Sequence, residues 1–313
     1  MKKILVTGGA GFLGANLCER LLRKTSDYVI CLDNLYTGFE SNISKLLDNT
    51  RFEFIKHDIN EPINLDVDEI YNLACPASPP HYQKDPIFTL NTCFVGTKNM
   101  LDLAKKNNAK FLQASTSEVY GDPIISPQQE SYWGNVNCNG IRSCYDEGKR
   151  VAESLVMNYH REFDLDVKIV RIFNTYGPLM HENDGRVISN FIVQCITSQP
   201  ITVYGDGHQT RSICYVKDLI KGMMKVMSSP KDITGPFNLG NPDEYTVHGL
   251  AELIKMLTNS KSEIVFSDLP KDDPLQRRPD ISLMKKTFNW SPEVETIDGL
   301  KETIIYFKEK LGV

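Results

Sequence analysis

Tyr145 and Lys149 stand four residues apart in the run SCYDEGK of residues 143–149. The run continues as RVAESLVM and reads as a helix, so the phenol and the ammonium share one face, one turn apart. A phenol ordinarily loses its proton near pH 10, whereas a base poised for neutral pH needs that value near 7. At about 1.4 kcal/mol per pH unit, the difference asks for roughly 4 kcal/mol of phenolate stabilisation. A fixed cation beside the oxygen is one physical source of it. The same spacing suits an ordinary amphipathic helix, so the pair gains meaning only from what precedes it.

What precedes it is a strand, a glycine turn and a helix. Residues 3–7 are a short apolar run, then Gly8, Gly11 and Gly14 recur at intervals of three, and Leu13, Leu17 and Leu21 follow at helical spacing. Glycines there permit a tight turn and close approach of the backbone to a pyrophosphate, which a helix N-terminus stabilises. A second apolar run, 28–32, ends in Asp33, nineteen residues after Gly14. A carboxylate at that place accepts from a ribose 2′-hydroxyl and repels a 2′-phosphate. The combination points to NAD rather than NADP. Strand 52–56 precedes Asp58, which is placed to meet the adenine.

Composition narrows the remaining classes. The chain has 313 residues, of which 41% are hydrophobic and 24% charged, which suits a globular protein of two domains. A net charge of −5 argues against a nucleic-acid footprint but leaves room for a local basic pocket. No apolar run reaches the length of a membrane span. Residues 1–6 are too short before the glycines to be a secretory segment, so a cytoplasmic location is expected. The eight cysteines are scattered without a Cys-x-x-Cys pair and read as small buried hydrophobes, not as a disulfide frame or zinc site. The six histidines form no i, i+4 pair, and no metal is expected.

The remaining elements follow in order. A strand at 69–74 leads into CPASPPHY, residues 75–82, which is too proline-rich to be helix or central strand. It is either a surface turn or, following a strand's C-terminal end, part of a substrate mouth, and the second is favoured. A long helix over about 85–106 and strands at 111–115 and 168–172 complete a rhythm that predicts an α/β fold with a doubly wound parallel sheet. Beyond residue 175 the rhythm changes: a helix over about 186–197, strands at 201–204 and near 213–216, and helices at 218–227, 247–257 and 297–310. The expected division is a dinucleotide-binding Rossmann domain of residues 1–175 plus about 212–236. A smaller, interleaved α/β substrate domain then takes about 176–211 plus 237–313.

Gly8/Gly11/Gly14, Asp33, Thr116 and Tyr145-x-x-x-Lys149 together resemble the extended short-chain dehydrogenase/reductase family that acts on nucleotide sugars. Within that family the chain is similar to the UDP-glucuronate decarboxylases over nearly its whole length. The stretches that carry this are NLACPASPPHY (72–82), ASTSEVYG (114–121), GIRSCYDEGK (140–149), RIFNTYGP (171–178), DGRV (184–187) and QTR (209–211). One departure is Asn137-Cys138-Asn139, where the family usually has proline after the first asparagine, in a loop.

The resemblance implies roles. Tyr145 takes the proton of the sugar C4 hydroxyl while hydride passes to NAD, Lys149 lowers the tyrosine pKa and holds the nicotinamide ribose, and Thr116 hydrogen-bonds the C4 oxygen. Phe12, Leu13, Asn34, Asp58, Ile59 and Leu73 join the glycines and Asp33 around the cofactor. Pro76, Tyr82, Ser117, Asn174, Arg186, Tyr204, Arg211 and Arg277 contact the UDP-sugar. Asn174, Arg186 and Arg211 meet its phosphates and uridine. Thr116-Ser117-Glu118 separates the branches: a 4,6-dehydratase carries Asp where Ser117 stands, and a serine hydroxyl is too weak an acid to expel the C6 hydroxyl. A 4-epimerase normally lacks the carboxylate of Glu118. Glu118 is then expected to order a water or relay a proton at C5, and Arg277 to meet the substrate carboxylate or the enolate oxygen. The competing readings are a UDP-glucuronate 4-epimerase and a non-catalytic NAD-binding regulator. A homodimer is implied too, with the helices near 85–106 and 144–161 pairing with their copies.

Overall fold

The short apolar runs of the N-terminal half become parallel strands because helices cover both of their faces. In the computed structural model, which describes residues 1–269 and 276–313, six of them are β1 (Lys3–Thr7), β2 (Tyr28–Asp33), β3 (Phe52–Lys56), β4 (Glu69–Asn72), β5 (Lys110–Thr116) and β6 (Val167–Ile172). With an edge strand, Phe237–Leu239, they form one seven-stranded sheet in the order Phe237–Leu239, β6, β5, β4, β1, β2, β3. Every neighbouring pair is parallel. Alternate side chains of β1 enter different cores, Ile4 and Val6 on one face and Leu5 on the other. The order reverses between β1 and β4, and a crevice opens there at the C-terminal ends of the strands.

Two sequence expectations are corrected nearby. The proline-rich stretch does contain a helical turn, Pro79–Tyr82. Its prolines occupy the first positions, where a helix needs no backbone N–H, and the turn buries Tyr82. The helix expected over 85–106 is Pro86–Asn91 and Thr97–Asn107 joined by a π-turn, Thr92–Gly96. Asp85 caps it by accepting from the Phe88 amide at 2.9 Å.

The long helix Ser143–Phe163 lies against β5 and β6 and is fixed there by charge. Arg171 on β6 forks onto Glu153, with Nε to Oε1 at 2.9 Å and Nη2 to Oε2 at 2.7 Å. Ser115 on β5 donates to the same carboxylate at 2.5 Å. Glu153 lies one turn beyond Lys149, so this bidentate clamp sets the rotation of the helix face that carries Tyr145 and Lys149.

The second unit packs the helices Val187–Ile196 and Val247–Thr258 together and pairs Ile201–Tyr204 with Ile264–Ser267. Its three-stranded sheet has Thr210–Ser212 at the centre, antiparallel to Glu244–Thr246 and parallel to Gln276–Arg277. Helix Val216–Met227 returns to the first unit and packs on helix Phe12–Lys24. Residues 237–239, expected in the second unit, instead complete the large sheet beside β6. Three residues are too few to show a strand pattern, so only the pairing reveals them. Of the segment 272–280, residues 272–275 lie outside the described part.

Candidate active site

The glycine turn is built for close approach. Gly8 has a φ of +66°, and a Cβ on it would lie 2.9 Å from the Ala74 Cα. A Cβ on Gly14 would lie 2.1 Å from the Gly8 carbonyl oxygen. Any side chain at either place would force the turn open. Gly11 is the N-cap of helix Phe12–Lys24 and provides no side-chain cap, so the first amides of that helix are left for a ligand.

Asp33 ends β2 at the rim of this turn. Its carboxylate accepts from the Ala10 amide at 3.0 Å and the Leu35 amide at 2.8 Å. Burial pushes its pKa up, and those amides oppose the rise. Asn34 donates to Asp58 at 2.8 Å, which fixes the next part of the wall. Beneath it, Thr7 donates to Asn72 at 2.7 Å and Asn72 to Gln113 at 2.9 Å, a buried polar chain tying β1, β4 and β5 below Leu73. A glycine cradle that any Cβ would fill, with a held carboxylate nearby, fits a dinucleotide and its ribose.

Thr116 is the last residue of β5 and accepts from the Glu118 amide at 3.2 Å. Tyr145 lies across from it, and its ring stacks on Tyr82 with centroids 5.0 Å apart and planes 2° from parallel. Lys149 is buried, donates to the Ala114 carbonyl at 2.9 Å and stands 5.7 Å from the Tyr145 ring centre. Burial pushes the Tyr145 hydroxyl well above its ordinary pKa, and a hydrogen bond with Thr116 and the charge of Arg186 counter this only in part. The Lys149 ammonium is directed to a backbone carbonyl, so the protein's own cation does not by itself make a phenolate.

The opposite wall carries the charge. Arg277, only 1% exposed, donates to the Ser117 carbonyl and, at 3.1 Å, to Glu118 Oε2. Arg142 donates to the same oxygen at 2.7 Å. Burial raises the Glu118 pKa, but the charges of Arg277 and Arg142 outweigh it and hold the carboxyl below its usual value. Arg211 is the parallel-register partner of Arg277, so two guanidinium side chains sit side by side on one sheet face. Arg186 donates to the Ala77 carbonyl at 2.7 Å and pairs with Asp184 at 3.2 Å. A surface basic pair is thus excluded for Arg277, while its neighbour Arg278 is partly exposed and pairs with Glu244.

The glycine turn, Asp33, Asn34, Asp58, Thr116, Glu118, Arg142, Tyr145, Lys149, Arg186, Arg211 and Arg277 border one cavity of about 610 Å³. It is also lined by Phe12, Leu13, Ile59, Leu73, Pro76, Asn174 and, at its exposed edge, Tyr204. Every candidate residue named from the sequence therefore reaches the same space. Sequence reasoning assigned no role to Arg142, although it lies three residues before Tyr145, just ahead of the helix start. That position was the available signal.

Residues 4–240 match the NAD dependent epimerase/dehydratase family. UDP-glucuronic acid decarboxylase 1 of Arabidopsis thaliana is 52% identical over 309 residues, covering 99% of this chain and 70% of that protein. UDP-glucuronic acid decarboxylase 1 of Danio rerio is 49% identical over 310 residues, covering 99% and 73%. Among solved structures, the UDP-glucuronic acid 4-epimerase of Bacillus cereus in complex with UDP-glucuronic acid and NAD superposes with a TM-score of 0.89 at 29% identity, covering 98% and 99%. The chain belongs to the NAD dependent epimerase/dehydratase family and, within it, to the UDP-glucuronic acid decarboxylases.

Proposed function

We propose that the protein converts UDP-glucuronate to UDP-xylose and carbon dioxide with NAD as a recycled cofactor. The observation that carries this reading is the buried Glu118–Arg277–Arg142 group facing the cavity next to Thr116 and Tyr145. An epimerase needs only the Thr116, Tyr145 and Lys149 side. The identity of about half of all residues to decarboxylases over nearly the whole chain, against 29% to the epimerase, supports the same choice.

Gly8, Gly11, Gly14, Phe12, Leu13, Asp33, Asn34, Asp58, Ile59 and Leu73 hold the cofactor, with Tyr145 and Lys149 at its reactive end. When bound, NAD supplies the hydride acceptor and donor for the sugar C4, and a positive ring that favours the Tyr145 phenolate. Tyr145 then takes the C4 hydroxyl proton and later returns it, and Thr116 orients that oxygen. A ketone at C4 is β to the C6 carboxylate, so the C5–C6 bond breaks to carbon dioxide and an enolate. Arg277 stabilises the enolate oxygen. Tight binding of the starting carboxylate would instead deepen the ground state. Glu118, held ionised by its two arginines, orders the water that protonates C5. Arg186, Arg211 and Asn174 bind the diphosphate and uridine, and Pro76, Tyr82, Ser117 and Tyr204 complete the sugar-nucleotide site.

The same reading includes a cytoplasmic homodimer. Among the described residues no helix is long and apolar enough to cross a membrane, and all eight cysteines are free, which suits a reducing compartment. Ile87, Leu90, Phe94 and Val151 are exposed on the two helical segments expected to pair, which supports the dimer.

The test is incubation with UDP-glucuronate in heavy water. Carbon dioxide and UDP-xylose should form with no net NADH, one deuterium at C5 and the original hydrogen retained at C4. UDP-galacturonate without gas would establish an epimerase instead.

A further inference from the structure

Cys75 and Cys93 meet in the wall of the cavity with their sulfurs 3.4 Å apart. The two come from different elements. Cys75 is half-buried, follows β4 in the irregular stretch leading to Pro76, and borders the cavity. Cys93 is buried in the π-turn Thr92–Gly96 and packs against the Tyr145 helix at Gly148, where an added Cβ would lie 3.0 Å from its sulfur. Neither side chain has a part in the chemistry described above. The Cys75 thiol also donates to the carbonyl of its neighbour Pro76 at 3.3 Å.

We propose that Cys75 and Cys93 form an oxidative modification site, a dithiol that peroxide-class oxidants convert to a disulfide and thereby switch the enzyme off. A disulfide needs sulfurs about 2.05 Å apart, so closure asks for a movement of roughly 1.4 Å. Cys75 is the partner free to move, because its segment is irregular while Cys93 is held in a helix. The roles divide the same way. Cys75 is open to the cavity, and although burial raises its pKa, the bond with Cys93 and the charge of Lys149 bring it below the ordinary thiol value. The interaction with Cys75 and burial both raise Cys93, which makes it the resolving thiol. Cys18 and Cys31 also neighbour each other but are wholly buried, so the same oxidant does not reach them.

The step balances. The Cys75 thiolate attacks the peroxide oxygen, the O–O bond breaks, a sulfenic acid forms, and the departing hydroxide takes up the proton that Cys75 released to give the first water. The Cys93 sulfur attacks the Cys75 sulfur, the S–O bond breaks, and a second water leaves with the Cys93 proton. Two thiols lose two electrons, and one peroxide becomes two waters. Closure draws the Cys75–Pro76 wall toward Gly148, between Tyr145 and Lys149. A misplacement of about 1 Å costs roughly 10²-fold in rate, which is the loss expected here.

The experiment treats the NAD-loaded protein with hydrogen peroxide and reads mass, peptides and turnover. The intact mass should fall by two hydrogens, digestion should yield a Cys75–Cys93 linked peptide, and a dithiol reductant should restore turnover. Cys75→Ser should keep its turnover before oxidation and resist the oxidant, whereas Cys93→Ser, which lacks the resolving thiol, should give no linked peptide and lose turnover that the reductant does not restore. Added oxygen without a linked peptide, or equal inactivation of Cys75→Ser, would place the damage at another residue and overturn the proposal. Should either variant fold poorly, the linked peptide in the unaltered protein decides alone, and that readout does not depend on which sugar the enzyme takes.

Discussion

The nucleotide wall of the cavity and the arginine wall facing it differ in how far along the chain their residues come from. Gly8, Gly11, Gly14 and Asp33 lie within one strand–turn–helix–strand unit, and a Cβ on Gly14 would meet only the turn itself. Arg277 reaches Glu118 across 159 positions of sequence, from a strand of only two residues. The first wall is a local motif whose turn admits no side chain at Gly8 or Gly14. The second is a buried charge cluster whose members are stable only together, because an arginine without its carboxylate would be an uncompensated charge. On the proposed reading the nucleotide wall binds, while the arginine wall selects what happens after binding.

That contrast can be tested by breaking each side. The largest effect is expected between the walls, at Tyr145. Tyr145→Phe keeps the ring stacked on Tyr82 but removes the proton acceptor, so turnover should fall by about 10²–10⁴. NAD affinity measured by calorimetry should stay unchanged; near-normal turnover would remove Tyr145 from the chemistry. Glu118→Gln comes next, with a loss of roughly 10², the lower end for proton-transfer groups. Rapid quench should then show a 4-keto sugar and NADH accumulating. If NADH never forms, Glu118 serves the oxidation or substrate binding, and the division between the walls fails.

Asp33→Ala probes the binding wall. Hydrogen bonds to charged groups contribute about 1.5–3 kcal/mol, so NAD should bind roughly 10–100-fold more weakly and lose ground to NADP. Turnover at saturating NAD should change little. An unaltered preference between the two nucleotides would take Asp33 out of the site.

The smallest effect concerns stability. Asp146 is buried beside the arginine wall, and its Oδ1 has no hydrogen-bond partner among the described residues. Burial and the charge of Glu118, then Glu147, raise its pKa to about 7 against the pull of Arg142 and Arg277. The folded chain thus keeps a proton that the unfolded chain has already lost above pH 4 or so. Stability contributed by this group is present below that range and is lost as pH rises toward 7. Asp146→Asn removes the titration, so its melting temperature should decline less between pH 5 and pH 8, by a few degrees. Parallel curves for the two proteins would show that Asp146 is already ionised in the fold.

Legibility followed the same division. The strand–glycine–helix order, Asp33 and the Tyr145–Lys149 pair are patterns that span a few residues each, and all of them reach the cavity as expected. Arg277 was named only through a resemblance, since nothing in the residues around it distinguishes a buried ligand from a surface pair. Arg142 received no role, and the Cys75–Cys93 contact was invisible because it joins two segments that pack through the fold alone.

Short-range sterics and periodicity encode a parallel sheet, where the turn must be glycine, and which helix face bears the phenol and the ammonium. Tertiary structure alone decided the charge states and partners. Burial lifted the Tyr145 pKa, the Ala114 carbonyl took the Lys149 ammonium, and the pairing of Thr210–Ser212 with Gln276–Arg277 set two arginines beside Glu118. The physical reason is that solvation and Coulomb energies depend on distances between segments remote in sequence, and no local pattern carries those distances.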